Sequence, residues 1–426
     1  MSEPELGRFV SELAEGPPGP AAGSAAAVTV ALTAALVEMA ARRSGAPEQA
    51  VRAAQLRDLA LTLAEADAEA YTQVLRAVGQ DRQAALDHAT EVPLQIAAAA
   101  REARDLAESV LGRCKASVRS DLRAARDLAG TAARVASELA DVNLGQGPGA
   151  EAGWALGRRA RLSFGEVAWD VSGAGPPVVL IHGTPTWSYL WRKIAPVLAR
   201  DFTVYVFDLP GYGDSPAPRD GDVSITMHAK AVVELLELWN LDSPAAAAHD
   251  IGAAALLRAH LLHGRQFGRI ALLDGVVFAP WITPTTRHIQ SHADVYRTMP
   301  PHIFERVTAA HLRTAVHRGF TDEAFTAYHD RWTGEAGQAA YLEKVVRFDE
   351  EHTREFEPLL ATIDAPVLVV WGENDAWLDP ELARRLEEAI PGAELSLIED
   401  AGHFVMEDAP AEVGRALREF FRYADP

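Results

Sequence analysis

The chain has 426 residues, of which 48% are apolar and 23% charged, as in globular domains with sizeable cores. At roughly 150 residues per domain, it has room for two or three domains and is too long for one small fold. The formal charge is −20, with −5 in residues 1–150 and −15 in the remainder. Such an acidic surface repels phosphate backbones and anionic lipids, so we expect neither a nucleic-acid nor a membrane partner.

The single cysteine, Cys114, allows no intrachain disulfide, and nothing requires an oxidising compartment. We therefore expect a cytoplasmic protein. The weakly polar run 21–37 has the length of a signal or membrane segment, but it is mostly alanine, contains hydroxyl residues and follows four glutamates. This pattern favours a buried helix.

The first 145 residues are rich in Ala, Leu, Glu and Arg, with apolar residues at helical spacing and no strand-like alternation. This pattern predicts several long helices, forming an all-α bundle over residues 1–144. A cluster of glycine and proline then follows at 145–150. We interpret 145–158 as an interdomain linker.

From residue 159 the period changes to that of strands. Residues 161–171 suggest an opening hairpin, and short apolar runs follow one another along the rest of the chain. These runs lie at 177–181, 204–207, 245–248, 270–273 and 367–370. Wholly apolar runs alternating with helical segments predict a doubly wound, mostly parallel α/β sheet over residues 159–426.

About 90 residues without a clear strand signal separate the strand ending near 276 from the one starting near 366. A structureless loop of that length is improbable in a compact domain. Residues 308–317, 323–328 and 336–348 have helical patterns. We predict a helical cap at about 279–355, inserted between two strands.

Reactive groups in such sheets gather at the carboxyl ends of the strands. Residues 248–252 have the small-x-nucleophile-x-small form of a nucleophile elbow, with Asp250 at its centre. Asp375 and His403 follow two later strands, in the order nucleophile, acid, histidine that this fold uses. No G-x-S-x-G motif occurs, so a serine esterase would lack its nucleophile.

Residues 182–192, 207–215 and the His249-Asp250 pair resemble the haloalkane dehalogenase and epoxide hydrolase branch of the α/β-hydrolases, over about 160–426. The resemblance implies that Asp250 attacks a saturated carbon and forms an alkyl ester, which water activated by His403 hydrolyses. Asp375 would orient His403. The N–H groups of Thr184 and Ile251 would form the oxyanion hole.

Two other acids remain candidates for the triad. Asp274 follows the strand at 270–273, a position that some members of this branch use for the acid, and Asp379 lies four residues beyond Asp375. Asp375 is preferred because it lies in the strand-end turn that chain order predicts. We interpret His182 and Asp208 mainly as loop and turn structure.

The leaving group stays open between a halide and an epoxide oxygen. Where haloalkane dehalogenases typically have Trp after the nucleophile and Asn or Glu after the His-Gly pair, this chain has Ile251 and Thr184, which lack strong side-chain donors. Epoxide hydrolases instead use cap tyrosines. Five aromatic residues are candidates for substrate contact: Trp187, Trp281, Tyr296, Tyr328 and Tyr341.

The N-terminal segment 18–27, with 91–94, 120–122 and 142–144, resembles the cyclodeaminase and methenyltetrahydrofolate cyclohydrolase family. That family implies a helical dimer acting on one-carbon folates. Its usual glycine-rich start appears here at 20–24 with alanine in place of two glycines. Both a folate site and a scaffold or homodimerisation role therefore remain open for this domain.

These observations predict an enzyme that hydrolyses a small, apolar molecule without a metal or cofactor. Three interpretations of the whole chain remain. It is a hydrolase carrying a helical dimerisation domain, a bifunctional folate cyclohydrolase and hydrolase, or a binding protein that kept the hydrolase fold without turnover.

Overall fold

The computed structural model of the chain describes residues 3–15, 19–79, 81–145 and 153–422. By internal contacts the chain divides into two compact units, residues 1–151 and 152–426. The first is helical and the second contains a mostly parallel sheet, which confirms the predicted fold class. Residues 146–152 of the predicted linker lie outside the described residues.

The helices of the first unit are long and rich in alanine, whose small side chain lets neighbouring backbones approach closely. They are α1 (Glu3–Glu15), α2 (Ala22–Arg43), α3 (Pro47–Arg76), α4 (Asp81–Leu111) and α5 (Arg119–Gly145). By length and composition α2 could cross a membrane, but 67% of its most apolar window is buried. It is the buried helix that the run 21–37 predicts, and its alanines and valines pack against the other helices.

Residues 153–422 contain an eight-stranded sheet in the order β1-β2-β4-β3-β5-β6-β7-β8. The first two pairings, β1 with β2 and β2 with β4, are antiparallel, and all the others are parallel. The strands are β1 (Arg158–Arg161), β2 (Glu166–Ser172), β3 (Pro177–Ile181), β4 (Thr203–Phe207), β5 (Ala245–His249), β6 (Arg269–Leu273), β7 (Val367–Gly372) and β8 (Glu394–Ile398).

Helices join these strands and cover the sheet. They are α6 (Ala195–Leu198), α7 (Ile225–Leu238), α8 (Ile251–Leu261), α15 (Glu381–Ala389), α16 (Val405–Asp408) and α17 (Pro410–Arg422), with a cap between β6 and β7 formed by α9 (Pro284–Ser291), α10 (Ala293–Thr298), α11 (Pro301–Leu312), α12 (Asp322–His329), α13 (Gly334–Val345) and α14 (Glu351–Arg354). The cap helices lie where the sequence places them, although the segment predicted at 308–317 begins earlier, as α11, and ends at Leu312.

The register of the parallel strands brings their carboxyl ends to one edge. Ile181 pairs with Ala248, and Leu273 pairs with both His249 and Val370. The loops that follow β3, β5, β6 and β7 therefore leave the sheet side by side. This alignment places Thr184, Asp250, Asp274 and Asp375 at the same edge of the sheet.

Candidate active site

The turn after β5 holds Asp250 in a strained backbone conformation. Its φ is +52° and its ψ −126°, outside the regions that L-residues ordinarily occupy. Small neighbours make this turn possible: a Cβ at Gly252 would lie 2.4 Å from the His182 carbonyl oxygen, and one at Gly183 would lie 2.4 Å from the Asp250 Cβ. The turn projects the carboxylate at the start of α8, where the helix dipole favours negative charge.

His403 lies between two carboxylates. Its Nδ1 is 2.9 Å from Asp375 Oδ2, and its Nε2 is 3.4 Å from Asp250 Oδ2. The other oxygen of Asp375 accepts the N–H groups of Trp377 and Leu378 at 2.8 and 2.9 Å. The structure thus brings together Asp250, His403 and Asp375, and fixes the direction of the imidazole between them.

Two backbone N–H groups hold the Asp250 carboxylate from the opposite side. The Thr184 N–H donates to Oδ1 at 2.7 Å, and the Ile251 N–H also hydrogen-bonds the carboxylate. These are the two donors that the sequence suggests for an oxyanion hole. The Thr184 hydroxyl lies 3.1 Å from the Tyr212 hydroxyl, which fixes the loop that carries the first donor.

The charges of Asp250 and His403 support one another. Burial by itself would raise the pKa of Asp250, but the His403 contact and the N–H of Ile251 outweigh burial and hold it below the ordinary value. Burial would lower the pKa of His403, but Asp375 and Asp250 raise it well above the ordinary value. The resting site therefore pairs an ionised nucleophile with an imidazolium.

Asp274 is wholly buried beside this pair. Its Oδ1 accepts the Gly372 N–H at 2.9 Å, and its Oδ2 has no hydrogen-bond partner among the described residues. Asp274, Asp375 and His403 each offer an atom within 4.8 Å of the others, a spacing that also suits a cation. Asp379, by contrast, is exposed and accepts the Glu381 N–H at the start of α15.

A cavity of about 40 Å³ lies beside Asp250. Its lining residues come from the strand-end loops and from the cap, and most are apolar or aromatic. They are Thr184, Pro185, Asp250, Val276, Trp281, Ile282, Thr283, Thr286, His311, Tyr341, Val345, Phe348, Trp377, Leu378 and His403. Two of the five predicted contact residues, Trp281 and Tyr341, are among them.

The other three predicted aromatic contacts lie outside this lining, and the polar atoms of two of them are bonded within the protein. The Trp187 indole donates to the Ala327 carbonyl at 3.0 Å, and the Tyr328 hydroxyl donates to Glu407 at 2.6 Å. Tyr296 is half-buried and packs against His288. In this structure the three side chains pack within the cap and against the core, and their contact with a substrate stays a prediction.

His182 and Asp208 have the structural roles predicted from the sequence. The His182 ring contacts the Gly183 carbonyl at 2.8 Å and accepts the Leu209 N–H at 2.9 Å. Asp208 accepts the N–H groups of Ser188 and Asp214. Burial lowers the pKa of His182 to about 4, so this imidazole is neutral and holds the loop that carries Thr184.

Three supporting residues were not singled out from the sequence. The His249 Nε2 lies 2.9 Å from the His403 carbonyl oxygen, and burial lowers the pKa of His249 to about 3, so its neutral ring donates there. Asp408 accepts the Gly402 N–H at 2.8 Å and thereby fixes the loop before His403. The position of His249 next to the predicted nucleophile could have identified it from the sequence. No sequence pattern identified Asp408 or His311, which lines the cavity.

The helical unit contains a separate cavity of about 300 Å³. Asp67, Tyr71 and Asn143 are among its lining residues, and Asp67 Oδ2 accepts the Ser24 hydroxyl at 2.9 Å. A Cβ at Gly23 would lie 2.1 Å from the Asp67 carboxylate. The glycine retained in the altered loop therefore provides the space for this acid.

Comparison with known proteins agrees with both halves of the structure. Residues 176–410 match the model of the alpha/beta hydrolase fold, and residues 5–150 match that of formiminotransferase-cyclodeaminase. The chain belongs to the alpha/beta hydrolase fold family, with a cyclodeaminase-like domain at its N-terminus. The two resemblances noted from the sequence are thus confirmed.

Individual relatives cover the hydrolase part. An alpha/beta hydrolase fold protein from Burkholderia ambifaria has 35% identity and a TM-score of 0.61, over 62% of this chain and 98% of that one. Haloalkane dehalogenase 2 of Mycobacterium bovis is 27% identical over 61% of this chain and 92% of its own. The cis-3-alkyl-4-alkyloxetan-2-one decarboxylase of Xanthomonas campestris is 24% identical over 58% and 88%. Hydrolase activity follows from this membership.

Proposed function

We propose that the hydrolase unit opens a small, neutral epoxide by forming and then hydrolysing an alkyl ester on Asp250. The proposal rests on the two contacts of one carboxylate. Oδ1 accepts the Thr184 N–H at 2.7 Å, and Oδ2 faces His403 beside the cavity. An ionised, buried and oriented carboxylate is a nucleophile that needs no base for its attack.

The cavity favours a neutral substrate. Asp250 and His403 are the charged groups among its lining residues, since burial lowers the pKa of His311 to about 4 and keeps that ring neutral. No lysine or arginine is part of this lining. A carboxylate-bearing substrate would have to bury its charge unpaired beside Asp250, which is costly.

Donors in the lining favour an oxygen leaving group over a halide. The Tyr341 hydroxyl belongs to this lining, and burial raises the pKa of this phenol, so it stays protonated. The Trp281 Nε1, a donor that would suit either leaving group, has no partner in the described part of the chain. Ile251 and Thr184 occupy the positions where a dehalogenase has its stronger donors. The oxetan-2-one in the name of the Xanthomonas relative is also a strained oxygen ring.

In the first step Oδ2 of Asp250 bonds to a ring carbon and the carbon–oxygen bond breaks. The departing oxygen takes the bonding pair and the proton of the Tyr341 hydroxyl. The His403 imidazolium then supplies the proton that restores Tyr341, which leaves a neutral imidazole beside the ester. Oδ1 remains against the Thr184 N–H and becomes the carbonyl oxygen of the ester. The geometry needs no movement of the elbow.

In the second step His403, now neutral because ester formation has removed the Asp250 charge that helped to raise its pKa, removes a proton from water, which attacks the ester carbonyl carbon. The negative charge that develops on Oδ1 meets the N–H groups of Thr184 and Ile251. Asp375 stabilises the imidazolium that forms. The ester carbon–oxygen bond then breaks, and the departing alkoxide takes the remaining proton of the attacking water. The product leaves as a diol, with Asp250 again a carboxylate beside the His403 imidazolium.

The test is to stop the second step. A His403→Gln variant incubated with a panel of epoxides should accumulate a stable adduct on the peptide that contains Asp250, detected by mass spectrometry. His302→Gln is the matched control, because His302 is exposed on the cap and should accumulate none. An adduct formed only with haloalkanes would reassign the leaving group. No adduct with either panel would contradict the covalent mechanism and favour a binding protein.

A second function is supported by the cavity of the helical unit, which we propose as a folate site. Asp67 and Asn143 are polar groups in an otherwise mostly apolar lining. Calorimetry with a reduced folate should show binding that Asp67→Asn abolishes and that Asp81→Asn, at an exposed position, retains. If the unaltered protein gives no heat of binding with the folate, the folate site is contradicted and a scaffold or dimerisation role is left for this domain.

A further inference from the structure

Asp274 is a buried acid that the proposed reaction leaves without a role. It follows β6, has a φ of +42°, and is fully excluded from solvent. The Gly372 N–H, which it accepts through Oδ1, belongs to the last residue of β7, three residues before Asp375. Its second oxygen has no partner among the described residues. One oxygen of its carboxyl group lies within 4.8 Å of ligating atoms of Asp375 and His403.

A purely structural role explains Oδ1, which accepts a backbone N–H, but it does not explain Oδ2. An asparagine or serine could accept the Gly372 N–H without placing a second carboxyl group beside Asp375. A buried polar oxygen without a partner costs about 1–3 kcal/mol. The backbone strain at positive φ adds to that cost. A buried acid that carries both costs beside a reactive group points to a role in the chemistry.

The charges around Asp274 indicate which form it takes. Burial and the negative charge of Asp375 raise the pKa of Asp274 well above its ordinary value, opposed by His403 and the Gly372 N–H. Asp408 also raises the pKa. In the resting site Asp274 therefore holds a proton, and the acid in direct contact with His403 is Asp375, whose Oδ2 lies 2.9 Å from Nδ1.

We propose that Asp274 is a positioning residue that forms a carboxyl pair with Asp375, and that it becomes the charged partner of His403 when Asp375 loses its charge. The pair would carry one negative charge, because two carboxyl groups this close and this deeply buried are not both ionised. The site then keeps one negative charge beside the imidazolium. This inference rests on the proposed function for its kinetic consequences, but its main test does not require a substrate.

The test is a double-mutant cycle read by the titration of His403. Three variants are needed: Asp274→Asn, Asp375→Asn and the two combined. The proton-sensitive imidazole signals of histidine-labelled protein are followed by NMR, with His403 assigned by the loss of its signal in His403→Gln. Asp379→Asn is the matched control, an exposed aspartate four residues beyond Asp375. Far-UV circular dichroism of every variant establishes folding.

We expect Asp274→Asn to lower the pKa of His403 slightly, because Asp274 is neutral at rest. Asp375→Asn should lower it moderately, because Asp274 then ionises in its place. The combined variant should lower it by clearly more than the sum of the two single effects. Additive effects would overturn the proposal. If Asp274→Asn fails to fold, Asp375→Asn is made in an Asp250→Asn background, which removes the other carboxylate that raises the pKa of His403. A His403 pKa that stays above the ordinary value there supports the proposal, and one at or below it overturns the proposal.

Turnover gives the second readout where an epoxide substrate has been found. The rate at which the Asp250 ester is hydrolysed should fall about 10-fold in Asp375→Asn. In the combined variant it should fall about 10⁴-fold, the loss typical of a triad without its acid. A single Asp375→Asn variant as slow as the combined one would contradict the pair. Failure of ester formation in every protein would instead contradict the proposed function and leave the titration result standing.

Discussion

The N–H of Thr184 lies 2.7 Å from Oδ1 of Asp250, so one oxygen of the nucleophile already occupies the place where charge would develop during ester hydrolysis. The two groups come from loops after different strands, β3 and β5, which are neighbours in the sheet. The distance between them depends on how closely the turn that carries Asp250 packs against the loop after β3. Substitutions where the two segments touch should therefore change the rate of ester formation without altering a reacting atom.

Gly252→Ala tests that approach. The added methyl group would lie 2.4 Å from the His182 carbonyl oxygen, so the elbow has to shift. We expect a loss of about 1–3 kcal/mol in the free energy of unfolding, as for other overpacked cores, and a fall in the rate of ester formation. Denaturant titration and adduct mass spectrometry measure the two effects. Gly165→Ala is the control, because its nearest neighbour would lie at an ordinary 3.9 Å; an equal loss there would refute the explanation.

The two chemical steps should differ in pH dependence. The pKa of Asp250 lies below the ordinary value, so the carboxylate is ionised throughout neutral pH and ester formation should be flat there. Ester hydrolysis needs neutral His403, so its rate should rise as pH increases through the pKa of His403. Alkylation removes the Asp250 charge that helps to raise this pKa, and the ester form should therefore titrate at lower pH than the free enzyme. Rapid-quench mass spectrometry separates the steps, and a flat hydrolysis profile would contradict His403 as the base.

Tyr341→Phe should impair ring opening, because it removes the proposed donor to the leaving oxygen. We expect ester formation with epoxides to slow by about 10²–10³-fold, the cost of losing one such donor, while haloalkanes are affected less.

The matched control for that variant is Tyr328→Phe. The Tyr328 hydroxyl donates to buried Glu407 instead of lining the cavity, so this change should cost about 1–3 kcal/mol of stability and leave ester formation nearly unchanged. Thermal unfolding and adduct kinetics measure both variants. If the two changes slow ester formation equally, Tyr341 is not the donor to the leaving oxygen.

Two glycines of the helical unit should respond to alanine with opposite signs. Gly23→Ala places a Cβ 2.1 Å from the Asp67 carboxylate, so it should displace that acid and lower stability. Gly130, inside α5, has open space around it, so alanine there should raise stability by about 0.5–1 kcal/mol through better helix propensity. Thermal unfolding distinguishes them, and destabilisation by both would point to a different packing of the bundle.

Periodicity and strand-end chemistry predicted much of this protein. The all-helical first unit, the buried runs of the sheet, the cap between β6 and β7 and the sites of Asp250, Asp375 and His403 could be anticipated because each depends on local pattern and chain order. Roles that depend on three-dimensional direction could not. Trp187 and Tyr328 are of the residue types that contact substrates, but their polar atoms donate to the Ala327 carbonyl and to Glu407.

The amino-acid sequence by itself determined the two fold classes and the residue types that gather at one edge of the sheet, since period and turn chemistry act over a few residues. Tertiary structure decided which aromatic residues face the cavity, that Asp274 lies with Asp375 beside one imidazole, and that His249 and Asp408 hold the loop of His403. Those contacts join segments up to 154 residues apart, and their geometry depends on strand register and packing, which no local pattern encodes.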